Sequence, residues 1–217
     1  MSQVARVQAA VADSGFEAVL LSTTGSVQWV SDFTGSYGFA LITPSNAVFV
    51  TDSRYAIQAQ NQVNDLEIEW FGSPKNIYEI LNSQFARLGI ARLGFEPGIS
   101  YSTWETWKDK FEGLALAPIG EMVSGLMKIK TADEIAKIRE ACKLGDACMQ
   151  RALSMVQVGV SEYDIGLDIE FYFRKNGAQI GFDPIVASGP NSAKPHARPT
   201  ERRIEKGDFV TIDLGCT

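Results

Sequence analysis

A chain of 217 residues with 45% hydrophobic and 21% charged residues holds enough apolar material for one large or two ordinary globular domains, which excludes a disordered polypeptide. Its formal net charge of -6 argues against nucleic acid, because neutralising phosphates needs a clustered basic face and none is present. No apolar run approaches the roughly 18 residues of a membrane span, and the opening MSQVARVQAAVADSG lacks a signal-peptide core, so a cytoplasmic location is expected. Cys142, Cys148 and Cys216 show no CxxC spacing and read as reduced thiols.

Val4, Val7, Ala10 and Val11 recur at helical spacing before Gly15, predicting a short amphipathic helix, and residues 18–21 form a brief buried strand. Runs 39–43 and 47–51 flank Pro44, Ser45 and Asn46, which is hairpin chemistry. Residues 53–63 are helix-like and 66–70 alternate as a strand. Residues 76–88 carry Ile77, Ile80, Leu81 and Leu88 on one helical stripe, and a strand follows at 91–96. Trp104, Trp107 and Phe111 recur at spacings of a helix face, a stripe read as core rather than as an aromatic ligand box. Alternating strands and helices to about residue 120 predict an α/β domain.

Composition changes around GEMVSGLMKIK, which places a first domain at 1–122 and a second at 123–217. Thr131 and Glu134 have capping-box spacing. Ile135, Ile138, Cys142, Met149, Leu153 and Val156 then continue one apolar face for about seven turns, a helix that needs a large partner surface. Gly159 closes it. Ser161 opens a second helix with Asp164 in the cap, Ile165, Ile169, Tyr172 and Phe173 inward, and Asn176 and Gly177 as the stop. A strand at 182–187, a polar proline-containing loop and a strand at 208–214 complete the order.

Two residues in this last part carry possible chemistry. His196 is the chain's only histidine, a residue type that is more often structural than functional when alone. Asp213 ends an apolar strand, where a carboxylate held by the ladder suits a hard divalent ion better than it suits a turn. Arg198, Arg202 and Arg203 alternate with Glu201, Glu205 and Asp208, the pattern of a solvated loop. Arg54 and Tyr55 read as anchors of their own helix start. The glycines of TGSYG lack dinucleotide-fingerprint spacing and context.

Four stretches, WVSDFTGSYG with TDSRY, MKIKTADEIAKIREAC, FDPIVASGPNSAKPHARPT and GDFVTIDLG, resemble the aminopeptidase P and prolidase group of metallopeptidases. The resemblance implies a creatinase-type N-terminal α/β domain followed by the first part of a pita-bread α+β domain, and metal-dependent hydrolysis of Xaa-Pro peptide bonds. By the same resemblance Asp213 is the first of five ligands that hold two divalent ions, commonly manganese, and His196 contacts a proline-containing peptide near the scissile bond. Two ions about 3.5–4 Å apart can clamp a hydroxide and polarise a carbonyl. The family's second aspartate, its histidine and its two glutamates have no counterpart in these 217 residues, so the chain by itself is expected to bind metal weakly and to be catalytically incomplete. Lys194 stands where the family usually has an apolar residue, and Ser53 where glycine is common. An open strand edge at Leu214 predicts a homo-oligomer. Two other readings share the scaffold: a non-catalytic binding protein and a creatinase-like amidinohydrolase.

Overall fold

Residues 1–217 are all described by the computed structural model, and they divide into two units, Met1–Ile129 and Lys130–Thr217. The first contains, in order, α1 (Gln3–Ala12), β1 (Ala18–Leu21), α2 (Thr24–Ser31), β2 (Phe39–Ile42), β3 (Ala47–Asp52), α3 (Ala56–Gln62), β4 (Glu67–Phe71), α4 (Ile77–Leu88), β5 (Arg92–Phe95), α5 (Tyr101–Lys110), β6 (Ala115–Pro118) and α6 (Met122–Lys128). Its strands make one six-stranded mixed sheet in the order β4-β3-β2-β1-β5-β6. The hairpin β2–β3 keeps Phe39 opposite Val50 and Ile42 opposite Ala47. Thr43 closes its turn, taking the Asn46 N–H on Oγ1 at 2.8 Å.

Period-two alternation builds this unit in three layers. Val19 and Leu21 pack with Val7 and Val11 of α1, Val30 of α2 and Val123 of α6. Ala18 and Leu20 face the other way, onto Leu81 and Phe85 of α4 and Trp107 of α5. Trp107 and Phe111 are each 3% exposed, so the aromatic stripe is core. Asp52 accepts from the Arg54 backbone at 2.9 Å and from its guanidinium at 3.0 and 2.7 Å, which fixes the local helix start.

Three elements escape the sequence pattern. Helix α2 is poor in strong helix formers, and its start is fixed from a distance. Buried Glu96 accepts from Ser22 N–H at 2.7 Å, from Thr23 N–H at 2.9 Å and from the Ser26 hydroxyl. Strand β6 is short and on the sheet edge. Met122, Val123 and Leu126 of α6 join the first core, so that unit extends past the composition change at residue 122.

The second unit contains α7 (Ala132–Met155), α8 (Glu162–Lys175), β7 (Ile185–Ser188) and β8 (Val210–Asp213). Both helices begin in capping boxes, Thr131 with Glu134 and Ser161 with Asp164. Ile165, Ile169 and Phe173 of α8 are fully buried, as the periodicity predicts. The face expected on α7 is different. Cys148 and Ala152 are its buried residues, with Leu144 and Met155 partly buried beside them, whereas Ile135, Ile138, Cys142 and Leu153 are exposed. The two stripes lie roughly 100° apart around the helix, and the small side chains of the buried one let α8 approach closely. Strands β7 and β8 pair antiparallel from Ile185 opposite Asp213 to Ser188 opposite Val210, and a bridge between Ile180 and Cys216 extends the ribbon. No helix is long and apolar enough to cross a membrane.

Candidate functional site

The loop that leaves β7 at Ser188 and returns at Val210 carries His196, and two hydrogen-bond networks shape it. The first centres on Glu162, in the opening turn of α8 and fully buried. Its Oε1 accepts from the Ser188 N–H at 2.6 Å and the Ser188 hydroxyl at 2.8 Å. Its Oε2 accepts from the Thr200 N–H at 3.0 Å and hydroxyl at 2.6 Å. The Asn191 amide donates to both oxygens, at 3.1 and 3.2 Å. Burial pushes this carboxyl up, but the donors from Thr200, Ser188 and Asn191 outweigh it and hold it below the ordinary glutamate range.

The second network joins Arg202 to Asp208. Arg202 donates to Asp208 at 2.5 and 3.2 Å and to the Ser188 hydroxyl at 2.6 Å, so Ser188 Oγ links the two networks. The Arg202 hydrogen bond, followed by the Glu205 N–H, holds the Asp208 carboxyl below its usual range. With side chains 22% and 12% exposed, Arg202 and Asp208 are not the solvated loop residues that their alternating charges predict. Arg198, 86% exposed, does fit that description.

His196 lies on the exposed part of this loop, between Pro195 and Ala197, whose side chain is buried. The Ala197 N–H donates to the Lys194 carbonyl at 3.2 Å, closing a tight turn beneath the imidazole. Lys194 itself is exposed and donates to Asn191 Oδ1 at 3.0 Å. Asp213 is exposed at the far end of β8, opposite Ile185. Ser188 and Val210 pair at the other end of the ribbon, three residue steps or roughly 10 Å away. The chain then folds back. Arg198 reaches Asp183 at 3.8 Å, and Pro199 lies against Gly166 of α8, where a larger residue would hold it off. A shallow cleft of about 250 Å³ there is lined by Tyr163, Leu167, Glu170 and Arg198 among others.

The donor set does not fit the metal pair that the resemblance implies. No group of three or more His, Cys, Asp or Glu side chains is placed to hold an ion, whereas a catalytic zinc site, for comparison, takes three protein ligands. A single exposed carboxylate, Asp213, is the right oxygen type but does not make a two-ion centre. The cysteines offer no softer alternative. All three are free, and burial pushes the Cys148 thiol up to about 11, the property of an inert core residue.

Glu162 is the residue that sequence reasoning passed over. Next to the cap Ser161 it looks like an ordinary acid in a first helical turn. The one available hint is that Ser188, Asn191 and Thr200, all able to donate, flank the His196 stretch with no carboxylate between residues 188 and 200.

Comparison with known proteins follows the same division of the chain. Residues 3–126 match the creatinase/prolidase N-terminal domain and residues 136–217 match metallopeptidase family M24. An uncharacterized peptidase of Bacillus subtilis is 36% identical over 204 residues, 93% of this chain and 57% of the relative. An Xaa-Pro dipeptidase of Pyrococcus furiosus is 32% identical over 181 residues, 82% of this chain and 50% of the relative. The solved structure of an Xaa-Pro dipeptidase from Bacillus anthracis superposes with a TM-score of 0.91 at 37% identity, covering 99% of this chain and 60% of that one. The chain spans between half and two thirds of the length of these relatives.

Proposed function

Because the chain belongs to the creatinase/prolidase family of metallopeptidases, with a creatinase-type α/β domain followed by part of a pita-bread domain, we propose that it serves the hydrolysis of peptides with proline in the second position. The observation that carries this reading is that His196 lies on a loop anchored through Ser188 and Thr200 and connecting the two strands of a ribbon whose second strand ends in Asp213, in a fold that superposes on an Xaa-Pro dipeptidase. In this reading His196 contacts the substrate near the scissile bond, and Asp213 contributes one carboxylate toward divalent ions, manganese being the proposed metal. With no further ligands gathered around Asp213, these 217 residues alone hold manganese below stoichiometry and leave an Xaa-Pro dipeptide intact. Metal analysis after dialysis against manganese, paired with a dipeptide cleavage assay, tests this. Substoichiometric metal and no turnover are expected; one or more ions per chain with turnover would overturn it.

The substrate part has its own test. His196 is the only histidine, so its imidazole gives one assignable NMR signal, and Ala-Pro at millimolar concentration shifts that signal if the imidazole meets the peptide. The free edge of β8, which has β7 as its single sheet neighbour, supports association with a second copy.

A further inference from the structure

Glu162 belongs neither to the proposed ligand set nor to the surface a peptide would meet, yet both stems of the His196 loop end on it. We propose that Glu162 is a positioning residue, a buried clamp that holds Ser188 on the incoming stem and Thr200 on the outgoing stem and so fixes where the loop between them presents His196. The functional meaning of the clamp rests on His196 being a substrate contact; the clamp itself does not.

The chemistry calls for a carboxylate. Every group facing Glu162 is a donor: two backbone N–H groups, two hydroxyls and one side-chain amide. A carboxylate is acceptor-only, with two oxygens and about four lone-pair sites, and here the oxygens divide the work, Oε1 taking Ser188 and Oε2 taking Thr200. Glutamine would offer one oxygen and turn an NH2 toward the other stem's donors. With the side chain at 0% exposure, water cannot replace a lost acceptor, so the stranded donors would have to move out.

The position also suits an anion. Glu162 opens α8, where free backbone amides and the helix dipole favour negative charge, and the Arg202 guanidinium is one hydrogen bond away through Ser188 Oγ, at 2.6 Å. Between the clamped stems, residues 189–199 form a closed loop whose ends cannot separate, which limits the conformations open to His196. The apolar core of the unit, with Cys148, Ile165, Ile169 and Phe173, packs without the carboxylate, so positioning and folding can be separated by experiment.

Amide hydrogen exchange and the His196 imidazole signal, compared in the 217-residue chain and its Glu162→Gln variant, provide the test. The expected result is exchange roughly tenfold or more faster at Ser188 and Thr200, unchanged exchange at Ile169 and Phe173, and a shifted or broadened His196 signal. Undiminished protection at Ser188 and Thr200 overturns the clamp. Equal loss of protection across α8 overturns it too, since Glu162 would then be a general fold determinant. If Glu162→Gln fails to fold, Thr200→Val, at an exposed position, removes one clamp bond and must loosen Thr200 while leaving Ile169 unchanged; no loosening is the overturning result. Failure of Ala-Pro to shift His196 in a wild-type chain with an intact clamp sinks the substrate reading instead, so the two failures are distinguishable.

Discussion

At Gly189 the backbone has a φ of +48°, and an added Cβ would stand 2.5 Å from Asp208 Oδ1 and 2.7 Å from Arg202 Nη2. Left-handed backbone costs a non-glycine residue roughly 1 kcal/mol or more, and here a methyl would also force the Arg202–Asp208 pair apart. Gly189→Ala is therefore expected to lower the urea midpoint of unfolding and to speed exchange at the loop stems; an unchanged midpoint would refute the assignment. The same scale shows why candidate residues differ in legibility. His196 and Asp213 stand in contiguous stretches, so a linear pattern singles them out as candidates. Glu162 acquires its role from Ser188, Asn191 and Thr200, remote in sequence, and a glutamate in a first helical turn carries no local sign of burial.

Helix α7 shows what periodicity does and does not decide. Its existence and its Thr131 cap follow from spacing alone, but it offers two apolar stripes, and only contact with α8 selects the one through Cys148 and Ala152. Branched residues at Ile135 and Ile138 look more core-like than Ala152, yet a small residue at the crossing brings more of the neighbouring helix within reach. Strand β8 is the other element with consequences. One of its edges is unpaired, and Phe209, the residue just before it, is 84% exposed. Sedimentation at micromolar concentration should show a dimer or larger species, and Phe209→Lys should shift it toward monomer by adding charge at the edge. A clean wild-type monomer would count against edge association.

Across the whole molecule, the carboxyls of Glu17, Asp52, Asp164, Asp208 and Glu162 all titrate below their ordinary values. Backbone donors from Ala91 and Arg92 lower Glu17; Arg54 lowers Asp52, Ser161 lowers Asp164 and Arg202 lowers Asp208. At Glu162 burial raises the carboxyl and the donors from Thr200, Ser188 and Asn191 overcome it. Unfolded, such groups titrate near about 3.9 for Asp and 4.3 for Glu. The stabilisation from these carboxyls is thus complete above those values and fades as pH falls from there through the lower folded-state values. Urea midpoints are expected to hold between pH 6 and pH 7 and to drop steadily below about pH 4. A midpoint that rises on acidification would contradict the assignment.

The sequence by itself determined the family and most strands and helices of the first unit, and it singled out His196 and Asp213 as candidates, because caps, turns, apolar periods and contiguous motifs are local properties. Tertiary structure alone decided which stripe of α7 is buried, that α6 completes the first core, that Arg202 and Asp208 form a sheltered pair, and that a buried Glu162 gathers both stems of the His196 loop. These outcomes depend on groups far apart in the chain meeting where water is excluded, and a linear pattern carries neither the meeting nor the loss of water.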